Sequence, residues 1–212
     1  MSSNNLSGDT VRKEPVFICD VTGSMVEETA APGSAMTKKE LATDVARILV
    51  AGLAAADSQG TDEKGGGGLL TITFADGIAT EVGDVNPANF ETVWSAVRWG
   101  GGTYITPALD MATANFAEEF GHLPVTAQPD LILAILTDGA LNDTNAANSF
   151  LRRAAGNVYV FVIVIGHGTA HDTALAGWQN IAETSQGHVQ VEAANGSTDA
   201  QAIAARILAM VQ

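Results

Sequence analysis

Five side chains with oxygen donors follow apolar segments or a glycine run, in positions where they could bind a metal ion. They are Asp20, Thr22, Ser24, Thr103 and Asp138. Two carboxylates and three hydroxyls, with no His or Cys among them, form an all-oxygen donor set that suits Mg²⁺ or Ca²⁺ and also accepts Mn²⁺. Because only two of the donors carry a formal negative charge, a divalent ion there would stay electrophilic and could accept a carboxylate from outside.

Apolar runs and helical spacings predict the elements that position these side chains. Strands are predicted at residues 16–20, 69–75, 78–82, 130–137, 158–165 and 188–192. Helices are predicted at residues 36–56, 86–97, 106–120, 145–155, 172–184 and 199–211. The dipeptide Asp76-Gly77 is a hairpin signal, so the third strand is expected to be an antiparallel edge strand.

This alternation of strands and helices predicts an α/β fold with a doubly wound, Rossmann-like sheet. The sheet is expected to be mostly parallel, with one antiparallel edge strand and helices on both faces. Sites in such folds lie at the carboxyl ends of the strands, so the five donors are expected to meet at one edge. We predict a single domain over residues 15–212, preceded by a flexible arm at residues 1–14 that is rich in Ser and Asn.

Composition and charge narrow the classes of partner. The chain has 212 residues, a formal net charge of −14 and a pI near 4.4. An anionic surface repels phosphate, so neither nucleic acid nor an anionic membrane is expected as a partner. The N-terminal residues lack the apolar segment of a signal peptide, and no run approaches the roughly 20 apolar residues of a membrane helix. Together with a single cysteine, Cys19, in an apolar run, this predicts a cytoplasmic protein.

Three motifs in order along the chain resemble the metal-ion-dependent adhesion site (MIDAS) of von Willebrand factor A (VWA) domains. They are D-x-T-x-S at Asp20, Thr22 and Ser24, G-G-T ending at Thr103, and T-D-G at residues 137–139. The family usually has Ser where this chain has Thr22, a change that keeps the hydroxyl. The resemblance covers residues 15–212. It implies that the three hydroxyls contact the metal directly or nearly so, and that the two carboxylates act directly or through water.

The resemblance also implies a function. We expect a divalent-cation-dependent protein-binding module without catalytic activity, in which Mg²⁺, or else Mn²⁺ or Ca²⁺, bridges to an Asp or Glu of a partner protein. As a chain predicted to be cytoplasmic and single-domain, it resembles bacterial stand-alone intracellular members of the family, which often work beside AAA-type ATPases or in stress and metal-resistance systems. Four residues near the predicted site are candidates for contacts with the partner. They are Glu27, Trp99, Tyr104 and His167.

Two alternatives remain open from the sequence. A strand ending in Asp20 is also typical of haloacid-dehalogenase-like phosphatases, in which that Asp is the nucleophile and an Asp two residues later is the general acid. Thr22 stands at the second position here and cannot transfer a proton near neutral pH. The other alternative is a structural subunit with a vestigial metal site.

Overall fold

Six β-strands form one sheet in the computed structural model of the chain. The structure describes residues 12–27, 30, 32–57, 68–139, 141–154, 156–185, 188–194 and 199–211. The strands are β1 (Lys13–Asp20), β2 (Leu69–Ala75), β3 (Ile78–Val85), β4 (Asp130–Thr137), β5 (Val158–Ile165) and β6 (Val189–Ala194). Their order across the sheet is β3-β2-β1-β4-β5-β6, and only the β2–β3 pair is antiparallel.

Helices connect the strands across both faces of the sheet. Among the described residues they are α1 (Gly23–Glu27), α2 (Lys38–Asp57), α3 (Phe90–Ser95), α4 (Thr106–Phe120), α5 (Thr144–Arg153), α6 (Gly168–Thr184) and α7 (Ala200–Val211), with one turn of 3₁₀ helix at Val125–Ala127. None of these helices is both long and apolar enough to span a bilayer. The sheet and its helices confirm the predicted fold class.

The sheet has a hydrophobic core on each of its two faces, which explains why the strand sequences are apolar almost throughout. Alternate residues of β1 point to opposite faces, so Phe17 and Cys19 join one hydrophobic cluster and Val16 and Ile18 join the other. The first cluster includes residues of α2, α3 and α7, and the second includes residues of α4, α5 and α6. A strand buried on both faces loses the polar alternation of a half-exposed strand.

The sheet order places β1 beside β4 at the centre of the sheet. From β1 the chain runs to β2 on one side, and later to β4 on the other side of β1. The connections therefore diverge at the carboxyl ends of β1 and β4, which is where doubly wound folds form a ligand-binding crevice. Asp20 ends β1, and Asp138 directly follows β4.

The observed bounds differ from the predicted ones where local hydrogen bonds decide them. Strand β1 begins at Lys13, inside the predicted flexible arm, because it pairs in register with β4 from that residue on. Helix α2 begins at Lys38 because Thr37 and Glu40 form a reciprocal capping box. The predicted helix at residues 86–97 shrinks to α3, since the Asn86 side chain accepts the next backbone N–H groups and holds a turn. The rest of the predicted arm, residues 1–11, lies outside the described residues.

Candidate metal centre

Asp20 lies at the carboxyl end of β1 and is fully buried. Its Oδ1 accepts the backbone N–H of Thr22 at 2.9 Å, and its Oδ2 accepts the hydroxyl of Thr137 at 2.6 Å. Burial and the neighbouring Asp138 carboxylate raise the pKa of Asp20 to about 6, although the hydrogen bonds from Thr137 and Thr22 oppose the shift. The carboxylate is thus held in place by uncharged groups and lacks charge compensation from the groups that bond it.

Helix α1 carries the two hydroxyls that follow Asp20. The buried Thr22 stands just before the helix and Ser24 is its second residue, and their hydroxyl oxygens are 3.4 Å apart. The Ser24 hydroxyl donates to Oδ1 of Asp138 at 2.9 Å. A short helix that begins directly at the strand exit therefore joins the first motif to the third.

Asp138 is bonded by a charged group from a different part of the chain. Its Oδ2 lies 2.6 Å from Nζ of Lys38, the first residue of α2. The Asp138 side chain is fully buried and that of Lys38 is 5% exposed. The two strand exits thus bring two buried carboxylates together, one beside hydroxyls and an amide and the other beside a hydroxyl and an ammonium group.

A loop of three glycines at residues 100–102, called the glycine loop below, precedes Thr103 and α4. It holds Thr103 against the carboxyl ends of β1 and β4. The backbone N–H of Gly23 donates to the carbonyl of Gly101 at 3.1 Å, so the loop is bonded to the β1 exit. Gly101 has φ +92°, and a Cβ there would lie 2.3 Å from the Asp76 carboxyl group, so only glycine fits. The buried Thr103 packs against Gly139, where an added Cβ would lie 3.0 Å from the Thr103 hydroxyl oxygen.

Two further carboxylates shape this loop, and the sequence motifs did not reveal them. Asp76 accepts the backbone N–H of Gly102 at 2.6 Å, and Asp143 accepts the backbone N–H groups of Ile105 and Thr106 at 3.1 and 2.7 Å. The only available signal for Asp76 was its place in the hairpin dipeptide. Asp143 and Lys38 gave no signal by spacing, because their roles depend on contacts between residues far apart in the chain.

The four residues predicted to contact a partner differ in how far their side chains are exposed. Tyr104 is 40% exposed, and His167 is exposed just before α6. Trp99 is half-buried, with its ring 5.1 Å from Nζ of Lys39 and edge-on to Trp94. Glu27 ends α1, but its side chain lies outside the described residues.

A groove of about 930 Å³ adjoins the glycine loop. Its lining comes from the β2–β3 hairpin, from residues between 93 and 101, and from Val21, which directly precedes Thr22. Its lining includes Val21, Ile78, Val97, Trp99 and Gly101. The half-buried Trp99 therefore lines a groove beside the site, together with apolar side chains and with the charged residues Asp76, Glu81 and Arg98.

The donor set fits a hard divalent cation. The grouped side chains are two carboxylates and three hydroxyls, and the described residues hold no group of three or more His, Cys, Asp or Glu side chains placed for a metal. An oxygen-rich set with few charges is the chemistry of Mg²⁺, Mn²⁺ or Ca²⁺ binding. The close approach of Thr103 to Gly139 brings the third hydroxyl to the carboxylates, so the residues present fit such an ion.

Comparisons with known proteins identify the fold. No protein-family model matches the chain, and no curated protein sequence matches it. Among solved structures, a D319A mutant of the PilB minor pilin from Streptococcus sanguinis aligns with a TM-score of 0.67 and 12% identity, over 96% of this chain and 61% of the pilin chain. The SpRpn10 VWA domain aligns with a TM-score of 0.63 and 10% identity, over 92% and 94% of the two chains. The chain has the fold of VWA domains and spans less than two thirds of the pilin.

Two other solved structures with this fold contain metal ions. Manganese-loaded TRAP protein from Plasmodium vivax aligns with a TM-score of 0.56 and 14% identity, over 92% of this chain and 71% of TRAP. Proximal thread matrix protein 1 from the mussel byssus, with a zinc-occupied MIDAS motif, aligns with a TM-score of 0.57 and 15% identity. The alignment covers 95% of this chain and 47% of the byssus protein. Divalent ions are therefore found in proteins of this fold.

Proposed function

We propose that this chain is a divalent-cation-dependent protein-binding module. The ion would be held by five side chains, which are Asp20, Thr22, Ser24, Thr103 and Asp138. The observation that carries the proposal is that three loops, distant in sequence, are joined by hydrogen bonds and close packing into one all-oxygen cluster at the divergence point of the sheet. A bound ion would supply an electrophilic centre that attracts a carboxylate of a partner protein.

Hydrogen bonds from neighbouring residues hold the two carboxylate donors in place. Thr137 and the Thr22 backbone orient Asp20, and Ser24 and Lys38 orient Asp138. The proposal is binding without catalysis, because Thr22 offers a hydroxyl where a phosphatase of the alternative class needs an acid. Tyr104, His167 and the groove beside Trp99 provide contact surface for the partner around the ion.

We further propose which ion is bound, which chemistry the partner presents and where the protein acts. The ion is Mg²⁺, with Mn²⁺ or Ca²⁺ as alternatives, and the partner supplies an Asp or Glu from an exposed surface. The anionic surface of the chain argues against nucleic acid and anionic membranes as partners. We place the protein in the bacterial cytoplasm, in a stress, metal-resistance or ATPase-associated complex, on the strength of its resemblance to stand-alone VWA proteins.

Thermal unfolding with and without metal tests the site. At about 100 times the Kd, Mg²⁺ or Mn²⁺ should raise the Tm by about 5 °C or more over the value in EDTA. Asp20→Ala and Thr103→Ala should each abolish this rise. Matched controls on α4, Asp110→Ala for the carboxylate and Thr113→Ala for the hydroxyl, should keep it. A wild-type Tm that no divalent cation moves would favour a structural subunit with a vestigial site.

Two further measurements separate binding from catalysis. A pull-down from native cells in Mg²⁺ and in EDTA should recover a partner only with Mg²⁺, and the same partner should be lost with Thr103→Ala. Wild-type protein with Mg²⁺ should not turn over p-nitrophenyl phosphate. Turnover that disappears with Asp20→Ala would overturn the binding module in favour of the phosphatase, and a partner retained in EDTA would overturn the metal-bridged mechanism.

A further inference from the structure

Lys38 is a lysine in a place that both helix electrostatics and burial disfavour. It is the first residue of α2, where the positive end of the helix dipole repels cations. Its side chain is 5% exposed, and lysine is almost never that deeply buried unless it is paired. Neither helix formation nor core packing favours a lysine here, and the buried ion pair with Asp138 is a contact that offsets both costs.

The fold builds a space for this side chain from a second element. Gly166 directly follows β5 with φ +128°, and a Cβ there would lie 3.2 Å from Cε and 3.4 Å from Nζ of Lys38. A side chain at this position would press against the end of the lysine side chain, which would have to shift by a few tenths of an ångström. The end of β5 and the capped start of α2 thus both position the ammonium group at the candidate metal centre.

The two oxygens of Asp138 have separate tasks in this arrangement. Oδ2 accepts from Lys38 at 2.6 Å, and Oδ1 accepts from the Ser24 hydroxyl at 2.9 Å. The ammonium group therefore lies on the far oxygen of a carboxylate whose near oxygen faces the hydroxyls of the β1 exit. It can stay on Asp138 while those hydroxyls serve an ion.

We propose that Lys38 is a permanent counter-cation of the candidate metal centre, which weakens divalent-ion binding and strengthens the attraction of the loaded site for one external carboxylate. This inference rests on the proposed metal-dependent function. When charged, the three side chains of Asp20, Asp138 and Lys38 together carry a net charge of −1. A divalent ion makes it +1, and the carboxylate of a partner then neutralises it. Without Lys38 the loaded site would already be neutral.

Because the site is buried, the single charge of Lys38 has a large effect on the affinity for a divalent ion. Between exposed groups, water and salt would screen most of its effect, but the carboxylate is fully buried and the ammonium nearly so. In such surroundings a unit charge a few ångströms from a divalent ion changes binding by well over tenfold, even with a high effective dielectric constant. Lys38 therefore lowers the affinity of the site for the ion and raises the affinity of the loaded site for the acidic ligand.

Mn²⁺ titration by calorimetry, with the full chain and the metal alone as probe, tests the effect of Lys38 on the affinity for the ion. Lys38→Met keeps the length of the side chain without its charge, and should bind Mn²⁺ at least about tenfold more tightly than wild type. Lys38→Arg should stay within about threefold of wild type, since it keeps the charge. Lys39→Met, which removes the same charge one residue away, should leave the Kd unchanged. In EDTA the Tm of Lys38→Met should fall, and in saturating Mn²⁺ it should recover most of the loss.

Lys38→Gln provides a second variant, because its amide can still donate to Asp138. If Lys38→Met folds only with Mn²⁺, that result supports the proposal, and the affinity comparison is made with Lys38→Gln. A merely structural lysine would lower the Tm without tightening Mn²⁺ binding.

The outcomes separate this inference from the function on which it rests. Equal or weaker Mn²⁺ binding by the charge-free variants, with binding by wild type, would overturn the role of Lys38 and leave the metal site standing. Binding only by the charge-free variants would support the role of Lys38 and overturn metal dependence in the natural chain. Absence of binding in all variants would overturn both.

Discussion

The exits of β1 and β4 look alike in sequence and differ in electrostatics. Each is an apolar strand followed by an aspartate, and both aspartates are buried within one cluster. Asp20 is bonded by a hydroxyl and a backbone amide, whereas Asp138 is bonded by a hydroxyl and the ammonium group of Lys38. One site therefore holds two different carboxylates. Protonation of Asp20 stabilises the folded chain, whereas the negative charge of Asp138 is compensated by the Lys38 ammonium group.

The sharpest test of this comparison removes the charge of Asp138. Asp138→Asn removes the negative charge from the buried ion pair with Lys38, so we expect the metal-free protein to lose about 3 kcal/mol of unfolding free energy. Urea unfolding in EDTA at pH 7 measures the loss. The control Asp110→Asn, on an exposed position of α4, should change it by less than about 0.5 kcal/mol. A loss below about 1 kcal/mol for Asp138→Asn would mean that the ion pair does not compensate either charge.

The same change at Asp20 should act in the opposite direction and depend on pH. Because the folded pKa of Asp20 is raised to about 6 from an unfolded value of 3.8, the folded state binds more protons between these values. This stabilising contribution is present below about pH 4 and is lost as the pH rises through 6. In EDTA, Asp20→Asn should match wild type near pH 4 and become about 3 kcal/mol more stable than wild type at pH 7.

Urea unfolding at a series of pH values checks this expectation. The difference between Asp20→Asn and wild type should grow between about pH 4 and pH 6 and level off by pH 7, with Asp110→Asn as the flat control. A difference that does not vary with pH would show that Asp20 is already compensated in the folded state, and the contrast between the two strand exits would disappear.

The loop that carries Thr103 extends the comparison to a third region. This loop supplies no carboxylate of its own to the cluster, and Asp143 holds the backbone that follows it. Asp143→Ala should cost about 1 kcal/mol, because two N–H groups at the start of α4 lose their acceptor, and it should weaken Mn²⁺ binding. Asp143→Asn keeps one acceptor oxygen and should lose about half as much. Urea unfolding and calorimetry provide the two readouts, and an Asp143→Ala variant with unchanged stability would contradict this role.

The elements of the fold follow from local patterns in the sequence. The apolar runs of β2, β4 and β5 and the span of α4 match their predicted bounds, because each is long, strongly patterned and bounded by clear start and stop signals. The short helix α1 escaped prediction because a five-residue helix has too few residues to show a period. The start of β1 at Lys13 escaped as well, because pairing with β4 decides it and the residue types there do not.

For the site, the sequence by itself determined the donors, and the tertiary structure decided their electrostatics. Asp20, Thr22, Ser24, Thr103 and Asp138 could be named in advance, because strands of a parallel sheet deliver their carboxyl ends to one edge. Lys38 could not, since it lies 100 positions from Asp138 and reaches it only through the capped start of α2 and the gap at Gly166. Charge compensation acts through space over a few ångströms, so only the folded chain shows which carboxylate receives it.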